Sequence, residues 1–227
     1  MKIYIFLFFA LIAPVCAQDF SIKNLDMPIY SQSGVLEQRL KSVSASGSIL
    51  RPTLKSGVIE FYRAIGSAFV AGATLRFDGA TYDHATEIVE GDGRIRFTSE
   101  QGDIEGVGFR YDIKTQILTL KSQVIAHFED AEIVGQTAEA VVRKQSGNQG
   151  WTIEEALVFG GVVITDFKRG KLQVDRAESD KAKYLRKHGL IVLSSPVKAW
   201  RDGKKCEISG SEDIKIPISQ KPASLSE

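Results

Sequence analysis

The chain has 227 residues, a net charge of +1, 25% charged and 43% hydrophobic residues. That balance excludes a disordered polymer and gives no electrostatic footprint for nucleic acid. The length suits one sizeable domain or two small ones, and the twenty glycines and six prolines are spread along it without marking a linker.

In chain order, the first segment reads as an export signal. Lys2 supplies a positive start, residues 3–13 are apolar, Pro14 breaks the run, and Val15-Cys16-Ala17 offers a cleavage site before Gln18. About 15 apolar residues fall short of the roughly 20 that a membrane span needs, so a retained N-terminal anchor is the weaker reading. Residues 13–15 fit lipidation of Cys16 poorly. The resulting division is a signal peptide over 1–17, one domain over 18–216 and a flexible polar tail over 217–227. Cleavage leaves Cys206 as the only cysteine, so the apolar core alone must hold the fold.

Beyond residue 20 the chain reads as short strands. Residues 36–43 leave room for a short helix. Residues 129–144 have alanines and glutamates suited to a helix, but Gly135 interrupts them and a 3.6-residue period is missing, so they read as strand. The clearest strand is residues 118–128, LTLKSQVIAHF, with Leu118, Leu120, Val124, Ala126 and Phe128 on one parity. Residues 120–125, LKSQVI, repeat residues 54–59, LKSGVI, with one change.

The repeat extends along the chain. Five copies centre on Val58, Ile95, Val124, Val162 and Val197, at spacings of 37, 29, 38 and 35 residues. The inward parity reads Val89, Ile95 and Phe97 in the second copy, Val162 and Ile164 in the fourth, and Leu193 and Val197 in the fifth. In the first, Leu54 and Val58 point inward until a bulge near Glu60 switches the parity to Ile59 and Phe61. Two positions before each centre stands a small residue: Ser56, Gly93, Ser122, Gly160 or Ser195. These mark a shared corner of the strands. Residues 106–112 form the first strand of a hairpin, with Val107, Phe109 and Tyr111 on one face, and 112–115 its turn. Five such hairpins make ten to thirteen antiparallel strands, and no unit buries its apolar face alone. The expected fold is therefore all-β, built from about five hairpin repeats with one shared core.

Catalytic chemistry has little material. His84, His127 and His188 lack metal-ligand spacing, so no metal site is expected. Cys206 sits beside lysines but has no histidine near it in sequence. Asp78 and Asp103 are scattered carboxylates, and Asp83 and Asp112 fall at equivalent turns, where aspartate bonds local amides. A carbohydrate-active enzyme on a β-repeat scaffold is the remote reading. The chain is expected to have no catalytic residues and no cofactor.

Gly106-Val107-Gly108-Phe109-Arg110-Tyr111-Asp112, followed by Ile117-Leu118-Thr119-Leu120 and Val124, resembles the repeat of the lipopolysaccharide-export proteins of the OstA superfamily. Met27-Pro28-Ile29-Tyr30-Ser31, then Gly34, Leu36, Leu40 and Ala45, is similar to the opening of its LptC-like branch, with an LptA-like bridge role as the neighbouring possibility. LptC-like proteins keep a longer membrane helix where this chain has a short signal. The resemblance, over residues 25–215, implies a half-open β-jellyroll (a β-taco) in the periplasm. It implies a groove for lipid A acyl chains of lipopolysaccharide, lined here by Val89, Ile95, Phe97, Leu118, Leu120, Val124, Ala126, Phe128, Val162, Ile164, Leu193 and Val197. Implied partners are other OstA-like domains and an inner-membrane export transporter, docked through sheet edges, with self-association by the same route. An adaptor of the same fold that never handles lipid is the alternative.

Overall fold

The computed structural model describes residues 20–65, 68–128, 131–145, 150–165, 175–194, 196–201, 203–206 and 213–218. The export signal, the last nine residues and Ser195 lie outside the described residues. Alternating patterns produce strands throughout: β1 (Phe20–Tyr30), β2 (Leu36–Ser48), β3 (Arg51–Ile65), β4 (Ala68–Asp83), β5 (Ile88–Ser99), β6 (Gly102–Asp112) and β7 (Ile117–Phe128). They continue as β8 (Ala131–Gly135), β9 (Thr137–Lys144), β10 (Trp151–Thr165), β11 (Arg176–Leu185), β12 (Leu190–Leu193), β13 (Lys198–Arg201), β14 (Lys204–Cys206) and β15 (Ile214–Pro217). All fifteen join one sheet, and every ladder in it is antiparallel. The all-β, jellyroll-like class is as expected. The strand number exceeds the thirteen anticipated, because the last units break into short pieces.

Three local readings change. Residues 36–43 are strand, since every second side chain from Gln38 to Ser42 is buried against the core. Val58 does not face inward. Ser56 adopts φ 50 and drops out of the β2–β3 ladder, so parity switches there rather than at Glu60, and Ile59 and Phe61 are buried instead. Val107 is likewise displaced from the Phe109–Tyr111 face, because Gly108 at φ 70 shifts the parity of β6.

The turns follow their chemistry. The Asp83 carboxylate accepts the amides of Ala85 and Thr86, each at 3.0 Å, and Asp112 accepts that of Thr115 at 2.9 Å. Glu87 and Gln116 then take the same left-handed conformation, φ 59 and φ 61, closing onto the Asp83 and Asp112 carbonyls. These are two copies of one hairpin turn.

A line of irregularities crosses the sheet. It passes through Asn24 (φ 57), Ser56, the register break between Gly91 and Arg94, Gly108, Gln123 (φ 53), the gap between β8 and β9, and Gly160–Gly161 (φ 83 and 59). Bulges bend strands and sharpen twist, so a bulge repeated in neighbouring strands folds the whole sheet. Serines repair the broken ladder. The Ser42, Ser122 and Ser179 hydroxyls lie 2.9, 2.9 and 2.6 Å from the carbonyl oxygens of Lys55, Val107 and Ser194. Of the five anticipated corner residues, Ser56, Gly93, Ser122 and Gly160 lie on or beside this line.

The fold line divides the sheet into two wings. One holds residues 25–30, 36–42, 57–65, 68–77, 95–99, 102–105 and 124–128, with β8, residues 162–165 and 176–179, and β13–β14. The other holds residues 20–23, 44–48, 51–55, 81–83, 88–91, 109–112 and 117–120, with β9, residues 151–159 and 181–185, and β12 and β15. The wings face each other across a single hydrophobic cluster running from Leu40 to Ile216.

Candidate functional site

The side chains that alternate inward from both wings form the interior, and the twelve residues singled out above are distributed through it. Ile95, Phe97, Val124, Ala126, Phe128, Val162 and Ile164 come from the first wing, and Val89, Leu118, Leu120 and Leu193 from the second. All eleven are buried in the common cluster. Val197, between β12 and β13, is half-buried at its rim. Among the described residues no charged side chain is buried, and the buried polar ones are Gln38, Ser42, Thr152 and Ser179.

Sequence reasoning placed Phe61, Tyr111 and Phe128 on apolar faces but missed Trp151 and the aromatic pairings that join the wings. Phe128 of β7 stacks on Tyr184 of β11, with ring centroids 3.9 Å apart and planes 5° from parallel. Phe61 of β3 meets Tyr111 of β6 edge-on at 5.9 Å and Trp151 of β10 at 5.2 Å. Such pairs add about 0.5–1.5 kcal/mol beyond the area they bury. Two hydrogen bonds accompany them. The Trp151 indole donates to the Tyr62 carbonyl at 2.9 Å, and the Tyr111 hydroxyl donates to Gln38 Oε1 at 3.3 Å. Burial pushes the Tyr111 phenol far above its ordinary pKa, so it stays a donor. The tyrosines before Asp83 and Asp112 were a visible signal, and Tyr82, Tyr111 and Tyr184 are all buried. Trp151, outside the repeat pattern, gave none.

The outer faces carry the charge. Lys41 donates to Glu60 at 2.9 Å, and the Tyr62 hydroxyl also donates to Glu60. Glu60 is partly desolvated, which opposes ionisation, yet the bonds from Lys41 and Tyr62 prevail and hold its carboxyl below the ordinary range. Arg96 pairs with Asp103 at 2.8 Å. His127 points outward, with Nδ1 3.5 Å from Asp103 and Nε2 3.1 Å from Glu132, in a cross-strand ladder. Pairs this exposed contribute about 0–1 kcal/mol each.

The other chemical candidates are dispersed. Asp83 and Asp112 are occupied as turn formers. His84 follows β4 beside Tyr82, and His188 is exposed in the 3-10 turn Arg186–His188. Asp78 lies in a shallow outer cleft with Arg76 and Arg94. Cys206 ends β14. No group of histidine, cysteine, aspartate or glutamate among the described residues is arranged to hold a metal. No described helix is long and apolar enough to cross a membrane.

Residues 71–129, from β4 to the end of β7, match the family LptC, described as lipopolysaccharide-assembly, LptC-related. That span contains the Tyr82-Asp83 and Tyr111-Asp112 turns and the 118–128 strand, so the family resemblance read from those motifs is supported by the match. No curated protein matches the chain in sequence.

Proposed function

We propose that this LptC-related chain is a non-enzymatic component of lipopolysaccharide transport. In this reading it is exported to the periplasm, holds acyl chains between its wings and docks end to end with other bridge domains. The carrying observation is the interior itself: a continuous apolar row through both wings, free of buried charge among the described residues. Each methylene moved from water into such a space gains about 0.8 kcal/mol. Non-covalent transfer of this kind needs no cofactor.

Docking is supported by the sheet's end strand. Among the described residues β1 pairs on one side alone, and Phe20, Leu25, Met27 and Ile29 are half-buried, leaving Ile22 44% exposed. An open edge beside an apolar row is a template for strand addition by another OstA-like domain, by the inner-membrane export transporter or by a second copy.

One observation favours an adaptor that docks partners without touching lipid: Leu118, Leu120, Val124 and Ala126 are 0% exposed, as in a plain core. Photo-crosslinking in cells exporting lipopolysaccharide separates the two. A crosslinking residue at Val124 or Ile95 should capture lipopolysaccharide, while outward-facing Gln123 and Arg94 should not. If several inward positions capture none, the adaptor reading takes over.

A further inference from the structure

The interior row is closed to solvent: Val89, Phe97, Leu118, Leu120, Val124, Ala126, Val162, Ile164 and Leu193 are all 0% exposed. An acyl chain can therefore reach it only if the wings part. The fold line supplies the hinge, because its bulges interrupt the ladder in one strand after another, whereas inside the wings the breaks are isolated, at Phe61/Tyr62 of β3 and Ile153/Glu155 of β10. The remaining question is where the wings are held together.

The backbones of the two wings approach closely at one seam. A Cβ on Gly72 of β4 would stand 3.4 Å from Gly150 Cα, and one on Gly150 would stand 3.6 Å from Gly72 Cα. The Arg63 side chain packs over both glycines, and its guanidinium donates to Glu100 at 3.0 Å. One residue on, the Trp151 indole donates to the Tyr62 carbonyl and lies against Phe61. Among the described residues β3 and β4 share no ladder with β10, and the wings meet here through side chains and close contact.

We propose that this seam, Tyr62 and Gly72 on one wing against Gly150 and Trp151 on the other, is a releasable latch. Its opening about the fold line admits the acyl chain of a lipid to the interior. The proposal rests on the lipid-holding reading above and adds the element that regulates loading. Trp151 suits the role because it contributes one hydrogen bond and one ring face. Both are re-formed when the wings close, and the ladders within each wing remain intact.

The geometry allows a direct test. Disulfides need Cα atoms about 4.4–6.8 Å apart, and the two glycines have ordinary room for a Cβ. The full chain is prepared as Gly72→Cys with Gly150→Cys in a Cys206→Ser background, carries a photo-crosslinking residue at Val124, and is incubated with purified lipopolysaccharide. Oxidation should abolish the Val124 adduct, and reductant should restore it, while either single cysteine leaves it unchanged. Trp151→Phe, which removes the bond to Tyr62 but keeps a ring, should raise adduct yield with an unchanged circular dichroism spectrum. An oxidised protein that still captures lipid at Val124 would sink the latch and leave the lipid-holding reading standing. Thiols that fail to join would overturn the seam itself. If the reduced protein and the parent chain both capture nothing, the lipid-holding reading falls and the latch falls with it.

Discussion

Tyr111 and Gln38, 73 positions apart, meet in the interior, where the phenol of one wing donates to the side-chain amide oxygen of the other at 3.3 Å. Tyr111 is 0% exposed and Gln38 2%. Because neither group has ready access to water, removing one partner costs more than the bond's net worth of about 1 kcal/mol. Tyr111→Phe should lower the free energy of urea unfolding by about 1–3 kcal/mol, the cost of a buried acceptor left unpaired. Replacing Gln38 by Met in the same chain should recover part of that loss. The phenol's folded pKa is raised above its unfolded value, so its contribution is complete below the unfolded pKa near 10 and declines as pH rises beyond it. Alkaline unfolding should therefore be shallower in Tyr111→Phe.

The Asp83 turn makes an acid-side prediction. The amides of Thr86, first, and Ala85 hold its carboxyl below the ordinary range. A depressed folded value means that this stabilisation is present above the unfolded pKa and is lost as pH falls through the folded one. Asp83→Asn should lower the urea midpoint at pH 7, and the gap to the parent should close in strong acid. A gap that persists there would show that the carboxylate's charge is not what the turn uses.

Glycine is required at one position of the fold line more than at its neighbour. A Cβ on Gly91 would stand 2.3 Å from the Gly79 carbonyl oxygen, a backbone atom that cannot swing away. On Gly93 the nearest atom would be Asp78 Cβ at 3.4 Å. Gly91→Ala should cost about 1–3 kcal/mol by thermal or urea unfolding, the range for overpacking, while Gly93→Ala should stay close to the parent. Equal losses at both sites would point to backbone entropy instead of close approach.

Much of the fold line was legible in the one-dimensional pattern because bulges select residue types. Ser56, Gly93, Ser122 and Gly160 stood at equivalent places in four copies, and all lie on or beside the bend. The inward parity of β5, β7 and β10 was legible for a similar reason: strand side chains alternate with a period of two, and burial on one face leaves its record in composition. Where a bulge slips the register by one residue, that logic inverts. Val58 and Val107 were misplaced because nothing in Ser56-Gly57 or Gly106-Val107-Gly108 says on which side of the slip each valine falls.

Hydrophobic alternation and turn chemistry were local, so the sequence by itself determined that the chain makes antiparallel strands, that Asp83 and Asp112 start equivalent turns, and that one face of each strand is apolar. Which residues meet across the fold was settled only in three dimensions. The Phe128–Tyr184 stack, the Tyr111–Gln38 bond and the Gly72–Gly150 seam each join positions from opposite wings. Their pairing depends on the angle and twist accumulated over many bulged strands, a sum that no short window of residues records.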